Sequence, residues 1–101
     1  MSPYMKKKTS AEGMMWVERK VTVTNPEGLH ARPARDLLVI AHKFASEIRI
    51  VKGDRVADAK SIFDIMTLGA EKGESLLVRA RGADAEAAVR AVIQVITAVK
   101  K

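Results

Sequence analysis

The most constraining feature of this chain is a repeated switch of apolar period, from two residues to between three and four and back again. Val17, Val21 and Val23 share one face while Glu18, Lys20 and Thr22 share the other, which is the alternation of a strand over Trp16 to Thr24. Asn25-Pro26-Glu27-Gly28 is a turn cluster that ends it. Leu37, Ile40, Ala41 and Phe44 then recur at helical spacing, with Arg35, Asp36 and Lys43 outside the stripe. Ile48 and Ile50 alternate with Glu47 and Arg49 as a second strand, and beyond the Gly53-Asp54 turn Val56 to Ala59 pairs back as a short third. Ser61 reads as a helix N-cap with Asp64 completing a capping box, and Gly69 as an early stop. Leu76, Val78 and Ala80 alternate with Leu77, Arg79 and Arg81 in a fourth strand. Asp84 reads as the N-cap of a last helix whose stripe is Ala85, Ala88, Val89, Val92, Ile93, Ile96 and Val99, opposite Glu86, Arg90, Gln94 and Lys100. The order β-α-β-β-α-β-α in so short a chain predicts an α+β fold, with three helices laid on one face of a four-stranded sheet.

At 101 residues, 48% of them hydrophobic, the chain has room for one packed domain, expected over residues 15–101. Residues 1–14 have neither period and read as a flexible tail. The absence of Cys excludes disulfides, thiolate metal sites and Cys nucleophiles. No apolar run approaches the roughly 20 residues of a membrane span, and no apolar stretch follows Lys6-Lys7-Lys8, so a cytoplasmic protein without a membrane partner is expected. The net charge of +6 favours acidic or phosphorylated partners. Aromatic residues are only 4%, too few for a base-stacking platform, and the Lys and Arg are interspersed with Asp and Glu. A nucleic-acid partner is therefore not expected.

The chemistry concentrates in Gly28-Leu29-His30-Ala31-Arg32-Pro33-Ala34. Pro33 suits the first turn of a helix, where its missing N–H costs nothing. His30 thus sits at or beside an N-cap, next to free backbone N–H groups, with Arg32 on the same end. Helix N-termini attract anions by about 0.3–1 kcal/mol and disfavour an imidazolium. A neutral, nucleophilic His30 facing such an end has the parts needed to accept a phosphoryl group, with Arg32 and the N–H groups steadying its charge. Taken alone, a His at a helix start is usually a cap or a surface residue, because helix N-termini attract anions generically. His42 is expected mid-helix, and two His twelve apart supply no metal site, so no metal is expected.

The run NPEGLHARPA resembles the active-site signature of the HPr family, the histidine-containing phosphocarriers of the bacterial phosphoenolpyruvate-dependent phosphotransferase system. AKSIFDIMTLG resembles the family's regulatory-serine segment, and the resemblance extends over residues 15–101. It implies an open-faced β-sandwich, a four-stranded antiparallel sheet covered on one face by three helices. It implies that His30 is phosphorylated at Nδ1, that Arg32 stabilises the phosphoryl group and that Ser61 is the target of a serine kinase/phosphorylase. The implied partners are enzyme I as donor, enzyme IIA components of a permease as acceptors, and a transcription regulator reading phosphoserine. Such a carrier is a substrate of its partners rather than an enzyme, needs no cofactor, and is best suited to shuttling as a monomer.

Ile62, Phe63 and Met66 lie on a helix too short to bury them all. They read as a docking patch, while Ile65 and Leu68 read as core. Asp64 and Arg35 depart from the family's pattern, the first adding negative charge beside Ser61 and the second positive charge beside His30. Two further readings stay open. One is a carrier of the nitrogen-related phosphotransferase branch, and the other a mainly regulatory module read through phosphoserine at Ser61.

Overall fold

A computed structural model describes residues 15–97. The expected tail at 1–14 and the end of the last apolar stripe, Val99, lie outside the described residues. Four strands, β1 (Val17–Thr22), β2 (Glu47–Lys52), β3 (Arg55–Asp58) and β4 (Ser75–Arg81), form one antiparallel sheet in the order β1-β4-β2-β3. The last strand in sequence therefore occupies the centre, between the two strands that α1 (Ala31–Ala41) connects. Helices α1, α2 (Ile62–Leu68) and α3 (Ala85–Ile96) complete the expected order.

The alternation of each strand decides which face is covered. Val21, Ile48, Ile50, Ala57, Leu76, Val78 and Ala80 turn inward and are buried. They meet Leu37 and Ala41 of α1, Ile65 and Leu68 of α2, and Ala88, Val89, Val92 and Ile96 of α3. Leu37, Ala41, Ala85, Ala88, Val89, Val92 and Ile96 of the expected helical stripes are buried, while Ile40 and Ile93 are partly buried against the core. Phe44 lies beyond the end of α1, in the turn to β2, where it packs against the core from outside the helix.

The other sheet face is open and carries charge in pairs. Arg49 and Arg79 stand directly opposite each other, a cross-strand arrangement that is unfavourable by itself. Glu18 accepts from Arg79 at 2.6 Å, and Glu47 accepts from both Arg81 and Arg49. Hydrogen bonding from Arg81, and then from Arg49, lowers the Glu47 carboxyl from its ordinary value. The Trp16 ring lies 4.4 Å from the guanidinium carbons of Arg79 and Arg81, adding cation–π contact over the same strands. The three arginines are thus committed to carboxylates and an indole.

Two expected helix caps take a different form. Asp84 stands at the N-cap of α3 but makes no cap bond. Its carboxylate accepts instead from Ala45 N and Ser46 N, each at 2.9 Å, and from Ser46 Oγ, tying the start of α3 to the turn before β2. The Ser46 hydroxyl, followed by the Ala45 N–H, holds the Asp84 carboxyl below its ordinary value. Gly82 makes the junction possible, because a Cβ there would come within 2.8 Å of Ser46 Cα. At α2, Ser61 Oγ accepts from Asp64 N at 3.2 Å as expected. The reciprocal half of the capping box is missing, because Asp64 Oδ2 accepts from Asp58 N of β3 at 3.0 Å. No helix among the described residues is long and apolar enough to cross a membrane.

Candidate functional site

The segment before α1 is held at several points, and His30 is the first residue after them. Asn25 is buried, and its Oδ1 accepts from Glu27 N at 3.0 Å, closing a side-chain-stabilised turn. Gly28 follows at φ 67°, in the left-handed region, and donates to Asn25 O. A Cβ at Gly28 would stand 2.6 Å from Ala70 O, so the backbone approaches as closely as only glycine permits. Leu29 is fully buried, and its N–H donates to the same Ala70 O at 2.9 Å. The loop after α2 is thereby welded to the loop before α1.

His30 is the N-cap residue of α1, in extended conformation, and its side chain makes no cap bond. Its ring turns to the other loop instead, with Nε2 3.2 Å from Glu71 Oε2. A carboxylate only accepts, so Nε2 carries the proton, and in the neutral ring Nδ1 bears the lone pair. Cδ2 and Nε2 form the edge facing Gly28 and Glu71, which turns the Nδ1 edge away from that loop. The ring is about 39% exposed, enough for a partner to reach. Ala31 follows at φ 46°, a backbone region that side chains seldom occupy.

The first turn of α1 contains no acidic residue, whereas α2 has Asp64 and α3 has Glu86 there. Arg32 is exposed, and its guanidinium makes no hydrogen bond or ion pair among the described residues. It lines a cleft of about 220 Å³ between α1 and α3, together with Asn25, Glu27 and Asp36. His30 and Arg32 thus share one helix end, and no hydrogen bond joins them among the described residues. His42 is not mid-helix as expected. It is the C-cap of α1, with Nδ1 2.9 Å from Leu38 O.

Ser61 lies at the other end of α2 from the His30 loop. Nine residues of near-helical chain separate it from Ala70, roughly 13 Å at 1.5 Å per residue. Along the helix between them Ile62, Phe63 and Met66 are exposed, Phe63 to 73%, while Ile65 and Leu68 are buried. The apolar patch therefore lies between the serine and the histidine. Glu71 is the residue of this site that sequence reasoning missed. It sits in a loop 41 positions from His30, and no local pattern marks it.

Comparison with known proteins bears on the same stretch. The family model described as PTS-HPr, the PTS HPr component phosphorylation site, matches residues 17–98. A phosphocarrier protein HPr of Buchnera aphidicola is 39% identical over 83 residues, covering 82% of this chain and 98% of its own. A phosphocarrier protein NPr of Shewanella violacea is 38% identical over 85 residues, covering 84% and 93%. The crystal structure of an HPr from Bacillus anthracis superposes with a TM-score of 0.78 at 34% identity, over 80% of this chain and 96% of that one. With the order and sheet of that fold reproduced here, the chain belongs to the HPr family of phosphotransferase-system phosphocarrier proteins.

Proposed function

We propose that this chain carries a phosphoryl group on Nδ1 of His30, accepting it from enzyme I and passing it to an enzyme IIA component of a sugar permease. The observation that carries the reading is the state of His30, with Nε2 engaged by Glu71 and Nδ1, without a hydrogen bond among the described residues, beside the uncapped start of α1. In acceptance, the Nδ1 lone pair forms the N–P bond as the donor's bond to phosphorus breaks and its electrons return to the donor. The first-turn N–H groups and the uncommitted Arg32 guanidinium stabilise the charge on the phosphoryl oxygens. The partners supply the remaining chemistry, and the carrier acts as their substrate, as a cytoplasmic monomer without a cofactor. Its carrier domain is residues 15–101, with 1–14 as an appended tail.

Ser61 is proposed as the regulatory site, modified by a serine kinase/phosphorylase and read by a transcription regulator. It lies too far along α2 to touch His30, so its phosphate would act on the docking surface. About two negative charges would be placed beside Ile62, Phe63 and Met66, against acidic partners. The nitrogen-related branch is the second reading, favoured by the NPr relative. His30 chemistry is common to both branches, so the donor decides between them. A module read mainly through phosphoserine is the third.

The test is intact mass after mixing the chain with phosphoenolpyruvate, Mg²⁺ and enzyme I of either branch. One acid-labile phosphate, absent in His30→Ala, is expected with the sugar-branch enzyme. Addition only with the nitrogen-branch enzyme would move the assignment. No addition with either active enzyme, alongside modification of Ser61, would leave the phosphoserine module.

A further inference from the structure

We propose that Glu71 is a positioning residue for phosphoryl transfer at His30, fixing the tautomer before transfer and holding the proton on Nε2 through it. The proposal rests on the reading of His30 as the phosphoryl acceptor. The carboxylate is brought to the ring by a loop that is itself pinned. Lys52 Nζ donates to Gly69 O at 2.9 Å and pairs with Glu74 at 3.1 Å. Glu74 Oε1 accepts from Glu71 N at 2.8 Å, and Ala70 O accepts from Leu29 N. The Glu71 N–H, followed by Lys52, lowers the Glu74 carboxyl from its ordinary value, so this support is anionic at neutral pH. The backbone of Glu71 is thus fixed from one side by β2 and from the other by the His30 loop. Its side chain, free of other partners among the described residues, reaches Nε2.

The chemical consequence follows from what the acceptor nitrogen loses. When Nδ1 gives its lone pair to phosphorus, the ring becomes a phosphoimidazolium with its proton still on Nε2. No proton moves in that step, and the positive charge is met by the Glu71 carboxylate 3.2 Å away. In the onward step the N–P bond breaks toward Nδ1, which regains its lone pair and leaves as a neutral imidazole. A ring stripped of the Nε2 proton would have to leave as an imidazolide, a far poorer leaving group. Glu71 therefore favours acceptance and keeps the bound group transferable, at the expense of its lifetime in water.

His42 provides an internal reference, since its Nδ1 lies against the Leu38 carbonyl and must carry the proton. ¹⁵N NMR of the unphosphorylated chain should show His30 protonated at Nε2 and His42 at Nδ1. Glu71→Ala should mix the His30 tautomers, Glu71→Gln should restore them through its amide oxygen, and neither should alter His42. Both variants keep the Glu71 backbone bonds that hold the loop. With enzyme I and phosphoenolpyruvate, Glu71→Ala should slow acceptance about 5-fold, the scale of one exposed charge-assisted hydrogen bond. Glu71→Gln should accept at close to the normal rate. In both variants the phosphohistidine should outlive that of the unaltered chain, because neither retains the carboxylate. An unchanged His30 tautomer in Glu71→Ala overturns the proposal, as does a shifted tautomer with unchanged rate and lifetime. If the unaltered chain takes no phosphate, the carrier reading falls and the positioning role with it. The ring spectra then still tell whether the contact exists.

Discussion

The starts of α1 and α2 each follow an N-cap residue in extended conformation and are left in opposite states. At α2, Ser61 Oγ takes the Asp64 N–H, and Asp64 places a carboxylate in the first turn. At α1 the N-cap side chain turns away to Glu71, the first turn has no acidic residue, and Arg32 adds a positive charge. A satisfied start contributes stability, about 1 kcal/mol for a Ser cap. An unsatisfied start keeps its N–H groups and dipole for an external anion. α3 shows a third use, since Asp84 spends its carboxylate on Ala45 and Ser46 rather than on its own helix. The lesson is that cap residues alone do not mark a binding end. What distinguishes α1 is that its neighbours are arranged around the open end without filling it.

The largest effect is expected where the open start is held in place. Gly28→Ala forces a Cβ to 2.6 Å from Ala70 O at positive φ. It should cost about 3 kcal/mol, seen as a lower urea midpoint, and should slow phosphoryl acceptance with it. A normal midpoint would show that the His30 loop is not welded to the Ala70 loop.

Asp84→Ala should cost about 2 kcal/mol by stripping the Ala45 and Ser46 donors, with acceptance at His30 unchanged. Its carboxyl is depressed in the folded state, so its stabilisation is complete above the unfolded value of about 3.9 and is lost as pH falls through the lower folded value. The urea midpoints of the unaltered chain and Asp84→Asn should therefore differ at pH 6 and draw together below pH 4. A gap that persists in acid would remove Asp84 as their cause.

Ser61→Ala and Arg32→Ala sharpen the contrast between the two starts. The first should lose about 1 kcal/mol with normal acceptance. The second should slow acceptance about 10-fold with a stability change inside about 0.5 kcal/mol, as for an unpartnered surface residue. Stopped-flow transfer and denaturation on both variants would expose a reversal. Phe63→Ala should have the smallest effect on the fold, about 0.5 kcal/mol or less, because the ring is 73% exposed. Its effect should appear in affinity for enzyme I by calorimetry, and unchanged binding would remove Phe63 from the docking surface.

Much of this architecture is written locally. The alternation of Leu76, Val78 and Ala80 fixes a strand and its buried face whatever it pairs with, and the burial of Ile65 beside the exposure of Phe63 follows from helical spacing. The turn at Asn25–Gly28 and the position of Pro33 place His30 at a helix start in the same way. Periodicity ran out at ends and loops. It carried α1 through to Phe44, whereas the helix closes at Ala41 with His42 as its cap. At Asp64 and Asp84 it identified carboxylates at helix starts but not where those carboxylates bond.

The sequence by itself determined the kinds of element, their order, the buried faces and a histidine at a helix start, because each depends on residues within a turn or two of one another. Tertiary structure decided that β4 lies between β1 and β2, that Trp16 meets Arg79 and Arg81, and that Asp84 reaches Ser46. It also brought Glu71 to His30 across 41 residues. Those pairings depend on strand register and on two loops docking through Gly28 and Ala70. A carboxylate in a loop has many possible partners, and only the packed core selects one.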